Sequence, residues 1–116
     1  MAEYDVTGQW VAHQSNGFDV NFTIAPTDGD FTRLDVEASY SGGFGQGKGL
    51  LTGDKFSATV NWESGSVGVY TAAFDADGRL NGHTFDEANP SSRATWFTDQ
   101  SFSQLRDQPP GTQLFD

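Results

Sequence analysis

The sequence predicts an all-β protein, an eight-stranded antiparallel up-and-down barrel built as a meander. Apolar and polar residues alternate in short runs, tight-turn signals separate these runs, and no stretch sustains the i, i+3, i+4, i+7 spacing of an amphipathic helix. Eight strands are enough for such a sheet to close around an interior that holds side chains or one small ligand, and closure removes exposed edges. A two-sheet sandwich is the alternative, and it would require a long crossover.

The runs follow one another along the whole chain. Strands are predicted near 6–14, 18–26, 31–41, 45–53, 55–63, 66–75, 78–86 and 92–103. In three of them the inward faces are mainly large and apolar: Phe18, Val20, Phe22 and Ile24; Leu34, Val36, Ala38 and Tyr40; Phe56, Ala58, Val60 and Trp62. The turns between runs carry residues that tolerate positive φ: Asn16-Gly17, Asp28-Gly29, Gly42-Gly43, Gly53-Asp54, Ser64-Gly65 and Asp77-Gly78.

Three segments depart from this simple pattern. The stretch 86–93 is predicted as the one longer connection, because the residue before a proline favours an extended or turn geometry. The barrel domain is expected to span 1–105, and the tail 106–116, with two prolines and no alternation, to be mobile or draped on the surface. The glycines of GFGQGKG, 43–49, indicate a strand that bends sharply or admits a neighbouring ring, since no helix follows as a phosphate loop requires.

Composition excludes several classes of function. The 116 residues suffice for one domain, and 16 acidic against 6 basic residues give a formal charge of −10. Such a field repels phosphate backbones and anionic lipids, so neither nucleic acid nor a membrane is an expected partner. There is no cysteine, hence no disulfide and no thiol chemistry, and no cofactor is predicted. The first residues lack a signal-peptide pattern, which predicts a cytoplasmic protein or a mature secreted form.

Familiar catalytic and metal motifs are not matched. His13 and His83 are predicted on the outer face or rim, and no nucleophile elbow accompanies them. The segment DADGRLNGHTFD, 75–86, resembles a calcium loop, but Leu80 stands where that loop needs glycine, and a hairpin turn explains the same residues. No catalytic residue and no metal ligand is therefore assigned.

The aromatic residues are the better indication of function. Trp10, Trp62, Tyr70 and Trp96 lie near the middles or ends of strands, and rings with a polar group suit the wall of a ligand cavity. They could equally fill the core. Small residues expected opposite them predict a partly hollow interior: Ala12, Gly68, Ala72, Gly82 and Ala94.

Parts of the sequence resemble the avidin and streptavidin family. GQWVAHQSNGFDVNFTI, 8–24, is similar to the family's opening Gly-x-Trp strand and the strand after it, and TVNWESGSVGVYTAAF, 59–74, to its central hairpin. GRLNGHTF, 78–85, resembles the next strand. The resemblance spans residues 8 to about 103 and implies a ligand-binding barrel, with barrel flanks that pair into oligomers.

The resemblance also implies roles for particular residues. Trp62 corresponds to a ligand-stacking Trp and Ser66 to a ligand-binding Ser, while Tyr70 takes the position of a second Trp. Phe85 lies near a third aromatic, and Asp99 stands in for an Asp near the final strand.

Some family positions are altered here. Ala12 replaces a polar side chain, Gly68 replaces a Thr, and the Tyr-x-Ser pair becomes Tyr40-Ser41-Gly42. Each polar partner lost from the ring around biotin would cost about 1–3 kcal/mol. The resemblance therefore predicts the barrel but not tight biotin binding.

The sequence predicts a non-catalytic protein that binds a small molecule in the open barrel mouth. A homo-oligomer is a further hypothesis, which rests on the resemblance. Two alternatives stay open, a lectin that stacks a glycan on exposed rings and a small cyclase that acts by confining its substrate. The predicted ligand-binding residues are Trp62, Tyr70, Ser66, Tyr40, Trp10, Ser15, Asn16, Phe85, Trp96 and Asp99.

Overall fold

The computed structural model describes residues 4–104 as strands and turns, without a helix in that range. The ten strands are β1 (Tyr4–Asp5), β2 (Gly8–Gln14), β3 (Asp19–Thr27), β4 (Asp30–Tyr40), β5 (Gly43–Thr52), β6 (Lys55–Trp62), β7 (Val67–Phe74), β8 (Leu80–Asp86), β9 (Asn89–Phe97) and β10 (Ser103–Gln104). Within the described residues, no helix is long and apolar enough to cross a membrane. The predicted tail, 106–116, lies outside the described residues.

Strands β2 to β9 form a closed antiparallel barrel in sequential order, which confirms the predicted meander. Closure comes from β2 and β9, which pair through only two residue pairs, His13 with Phe97 and Gln14 with Trp96. The other neighbouring strands share six to eight register pairs. The seam between β2 and β9 is therefore the shortest hydrogen-bonded junction of the barrel.

The predicted turns form with one change. Gly17, Gly29, Gly53, Gly65 and Gly78 all have positive φ, as tight turns between twisted strands require. At the fourth strand the turn is Ser41-Gly42 instead, because Tyr40 already pairs with Gly43 at the start of β5.

The end of the chain was predicted less well. The stretch 86–93 is not a long connection, because β9 begins at Asn89 and pairs there with Asp86. The next register pair joins Phe85 to Arg93, so the residues of β9 around Pro90 form a bulge. Proline has no backbone N–H to donate to a neighbouring strand, and a bulge is a position where this donor is not needed. The predicted strand 92–103 is also wrong at its far end, since β9 stops at Phe97.

The two short strands β1 and β10 pair with each other outside the barrel. Tyr4 stacks on Phe74 with ring centroids 3.8 Å apart, and Phe102 meets Trp10 edge to face at 5.3 Å. Val6, between β1 and β2, is fully buried. The two ends of the described chain thus cover one end of the barrel, the end that carries the β3–β4, β5–β6 and β7–β8 turns.

The core fills the barrel next to this covered end. Trp10 lies near three other buried rings, at 4.9 Å from Phe22, 5.8 Å from Phe56 and 6.1 Å from Trp96. All four are at most 4% exposed. This part of the interior is a packed aromatic core, so any open space must lie toward the opposite end.

Candidate functional site

A cavity of about 250 Å³ opens at the uncovered end of the barrel, which we call the mouth. The strands reach it at the β2–β3, β4–β5, β6–β7 and β8–β9 turns. Its wall combines aromatic rings with neutral polar groups and one arginine. The residues used in the arguments below are Gln14, Asn16, Tyr40, Trp62, Tyr70 and Arg93.

Three aromatic rings lie in the mouth, because Phe18 directly precedes β3, Tyr40 ends β4 and Trp62 ends β6. Phe18 is 45% exposed, whereas Tyr40 and Trp62 are half-buried and pack against the core. The Tyr40 ring lies 5.3 Å from Phe18 and 5.1 Å from Trp62, at 79° and 88°. The rings therefore form an aromatic corner rather than a stack, and all three line the cavity.

Two glycines give the Trp62 indole its place. A Cβ on Gly45 of β5 would lie 2.9 Å from Trp62 Cε3, and a Cβ on Gly68 of β7 would lie 3.0 Å from its Nε1. Side chains at these positions would push the indole out of its present orientation. The glycine-rich β5 was predicted to admit a neighbouring ring, and Gly45 does so.

A chain of side-chain hydrogen bonds forms the polar side of the mouth. The Tyr70 hydroxyl donates to Gln14 Oε1 at 2.8 Å, and Gln14 Nε2 donates to Asn16 Oδ1 at 3.1 Å. Asn16 Oδ1 also accepts from the backbone N–H of Phe18 at 3.3 Å. Because that backbone group can only donate, it sets the orientation of Asn16, then of Gln14, and makes Tyr70 the donor at the end.

Burial raises the pKa of Tyr70 to about 12, because the phenolate would be poorly solvated there. A hydrogen bond from the Thr84 hydroxyl lowers the pKa of Tyr70, whereas the negative charge of an ionised Tyr40 raises it further. Tyr70 is 3% exposed and meets Trp96 edge to face at 5.9 Å, so it forms the boundary between the mouth and the packed core. Its hydroxyl stays protonated at neutral pH.

Six of the ten predicted ligand-binding residues line this cavity: Asn16, Tyr40, Trp62, Ser66, Tyr70 and Phe85. The other four lie elsewhere. Trp10 and Trp96 belong to the buried core, where their indole N–H groups donate to the carbonyls of Val6 and His83, each at 2.9 Å.

Ser15 and Asp99 are located at the β2–β9 seam. Ser15 Oγ accepts the Thr95 backbone N–H at 3.0 Å, and its own N–H donates to the Thr95 carbonyl at 2.8 Å. Asp99 contacts His13 Nε2 at 3.1 Å, while His13 Nδ1 contacts Asp19 at 2.9 Å. His13 is thus at the outer side, as predicted, and these contacts join the seam across the surface.

The sequence reasoning missed Gln14, Thr84 and Arg93 in the mouth. Gln14 could have been found, because Trp10 and Ala12 share its face of β2, so the inward register continues to it. Arg93 could not, since it alternates with the inward-facing Ala94 and Trp96 and is therefore predicted on the outer face of β9.

The small residues that predicted a hollow interior have different surroundings. Gly68 and Ala94 line the cavity. A Cβ on Gly82, by contrast, would lie 1.9 Å from the Thr71 carbonyl oxygen, because β7 and β8 approach closely there. Ala12 is fully buried, and the aromatic core occupies the space near it.

The acidic turn between β7 and β8 is a structural feature. Asp75 Oδ1 accepts the backbone N–H groups of Asp77 at 2.9 Å and Arg79 at 3.0 Å. These hydrogen bonds lower the pKa of the exposed Asp75 carboxyl, and the bond from the Arg79 backbone has the largest effect. Among residues 4–104, no three His, Asp or Glu side chains come together as a metal site.

Comparison with protein-family models and with curated proteins finds no match to this sequence. The closed eight-stranded antiparallel barrel is compatible with the avidin-like fold that the sequence resemblance implies.

Proposed function

We propose that the protein binds a small molecule in the barrel mouth and does not transform it. The observation that carries this proposal is the composition of one cavity, in which the rings of Tyr40 and Trp62 lie beside a chain of neutral polar groups. Ligand sites combine apolar walls with a few fixed hydrogen-bonding groups in this way.

The polar chain supports binding through its fixed orientation. The Phe18 backbone N–H determines which atoms of Asn16 and Gln14 are donors and acceptors, so the free groups need little reorganisation when a ligand arrives. Preorganisation of this kind lowers the cost of binding. Tyr70, at the inner end of the cavity, is held in place by its edge-to-face contact with Trp96 of the packed core.

The cavity limits the ligand to a small one, since drug-sized sites usually measure about 300–1,000 Å³. A single flat ring system fits the aromatic corner better than an extended chain. The avidin resemblance points to the same end of the barrel, through Trp62 and Ser66. Trp10, Ser15, Trp96 and Asp99, the other four predicted ligand-binding residues, lie outside this cavity.

A ligand-observed NMR screen with neutral bicyclic fragments tests this proposal, with biotin and a set of monosaccharides included. Binding should be lost in Trp62→Leu and retained in Phe44→Leu, a matched control on β5 whose ring is 45% exposed and does not line the mouth. If no flat neutral fragment binds, or if Trp62→Leu binds like the wild type, the mouth is not the site. Saccharide binding without fragment binding would favour the lectin alternative.

A further inference from the structure

In the polar chain of the mouth, more N–H donors than oxygen acceptors are left without a protein partner, and this excess of donors favours one class of ligand. The inference rests on the proposed function and narrows it. In the polar chain, Asn16 Oδ1 accepts two hydrogen bonds, from Gln14 and from the Phe18 backbone, and Gln14 Oε1 accepts one, from Tyr70. What remains on these two amides is mainly N–H.

Trp62 adds another donor. Within residues 4–104, the indole N–H groups of Trp10 and Trp96 donate to backbone carbonyls, whereas that of Trp62 has no protein partner. No buried side-chain nitrogen in the described part of the chain lacks a partner, so this N–H is one that solvent or a ligand can reach.

Arg93 contributes the one positive charge among the described residues that line the mouth. Its Nε donates to the Pro90 carbonyl at 3.2 Å, which leaves the two terminal nitrogens uncommitted. No carboxylate in the described range lies within 4.0 Å of its guanidinium, although the protein carries a net charge of −10. Lys48 and Lys55, by comparison, both have aspartate partners.

Asp86 also lines the mouth, but its Oδ1 accepts the Ala88 N–H at 3.0 Å in the β8–β9 turn. The hydroxyls of Tyr40, Ser66 and Ser92 on the same wall can accept as well as donate, so what distinguishes the mouth is its uncommitted N–H donors and its one cation. A carboxylate only accepts, and a free arginine fork beside amide and indole N–H groups matches it.

We propose that the mouth selects a planar aromatic carboxylate, with the ring against Tyr40 and Trp62 and the carboxylate received by Arg93 and the free N–H groups. Charges beyond about 8 Å are largely screened at physiological salt, and Arg93 offsets the charge of Asp86, the one carboxylate among the described residues that line the mouth.

Isothermal titration calorimetry with 2-naphthoate and its neutral analogue 2-naphthamide tests the inference. The carboxylate should bind the wild type about tenfold more tightly or better, as expected for charge-assisted hydrogen bonds. Arg93→Gln should remove the preference, Arg93→Lys should keep part of it, and Arg33→Gln, a control at an exposed position of β4, should leave it unchanged. Raising the salt from about 0.05 to about 0.5 M should weaken the carboxylate more than the amide.

The outcomes separate the two proposals. Equal binding of both probes to the wild type, insensitive to salt, overturns carboxylate selection and leaves the mouth as a binding site. Binding of neither probe contradicts both proposals. The comparison of probes on the wild-type protein requires no variant to fold, and circular dichroism of each variant checks that a lost preference is not lost structure.

Discussion

The position of Trp62 depends on the absence of a side chain at Gly45, and Gly45→Ala tests this dependence. The added Cβ would lie 2.7 Å from Val60 Cγ1 and 2.9 Å from both the Asn61 carbonyl oxygen and Trp62 Cε3. Val60 is fully buried and cannot retreat, and the Asn61 oxygen belongs to the backbone. Only the half-buried Trp62 indole has space to move.

The size of the effect follows from two opposing contributions. Overpacking a well-filled site costs about 1–3 kcal/mol. Replacing a strand glycine by alanine recovers about 0.5–1 kcal/mol of backbone entropy. We expect Gly45→Ala to lose about 1–2 kcal/mol of unfolding free energy, a fall of roughly 0.5–1 M in the urea midpoint for a domain of this size.

Gly43→Ala is the matched control, because it is the same substitution in the same strand. Its Cβ would meet Tyr40 Cε1 at 3.5 Å, an ordinary contact, so it should be neutral or slightly stabilising. Urea unfolding followed by circular dichroism gives both free energies, and the indole N–H signals in a ¹⁵N-correlated NMR spectrum report on Trp62 separately. Equal stability of the two variants, with an unmoved Trp62 signal, would refute the reasoning.

Three further substitutions test other contacts. Tyr70→Phe should lower the free energy of unfolding by about 0.5–1.5 kcal/mol at neutral pH, because the hydrogen bond to Gln14 is lost. Since the pKa of Tyr70 is raised from 10.0 to about 12 in the folded protein, the wild type should lose this part of its stability above about pH 10, whereas the variant has no such hydroxyl to ionise. Denaturation at several pH values checks this difference. Asp75→Ala should lower the urea midpoint at pH 7 but not in acid, because a lowered pKa contributes stability that disappears as pH falls through it; a midpoint difference that persists in acid would contradict this. Ser15→Ala should speed amide exchange at Thr95, whose N–H loses its acceptor, and unchanged exchange would contradict that role.

The fold was predictable because its causes are local. Alternation in β3, β4 and β6 determines which side chains face inward, and turn glycines such as Gly29 and Gly65 determine where the chain reverses. These local signals determine the hairpins, whereas closure adds the pairing of His13 with Phe97 and Gln14 with Trp96 between the first and last barrel strands. The exceptions are β1 and β10, which are two residues each and too short to show a period.

The site was predictable only in part, because its chemistry depends on contacts between distant strands. The same alternation that placed Trp62 in the mouth also placed Trp96 inside, but only the three-dimensional structure shows that other rings surround Trp96. Likewise, the Tyr70–Gln14 hydrogen bond joins residues 56 positions apart. Arg93, finally, lies on the outward register of β9 next to the inward Ala94, so alternation alone does not show that it lines the mouth.

The two ends of the barrel differ in how completely their side chains are packed. The covered end holds the packed rings around Trp10 and the stacked pair of Tyr4 and Phe74, so substitutions there should act on unfolding free energy. The mouth retains half-buried rings and accessible N–H donors without protein partners, which water or a ligand can satisfy. Because the glycines that position Trp62 lie on β5 and β7, within the barrel wall itself, the mouth keeps its shape without a ligand. A ligand would therefore meet a preformed site, and binding should change the rings of the mouth far more than the core behind Tyr70.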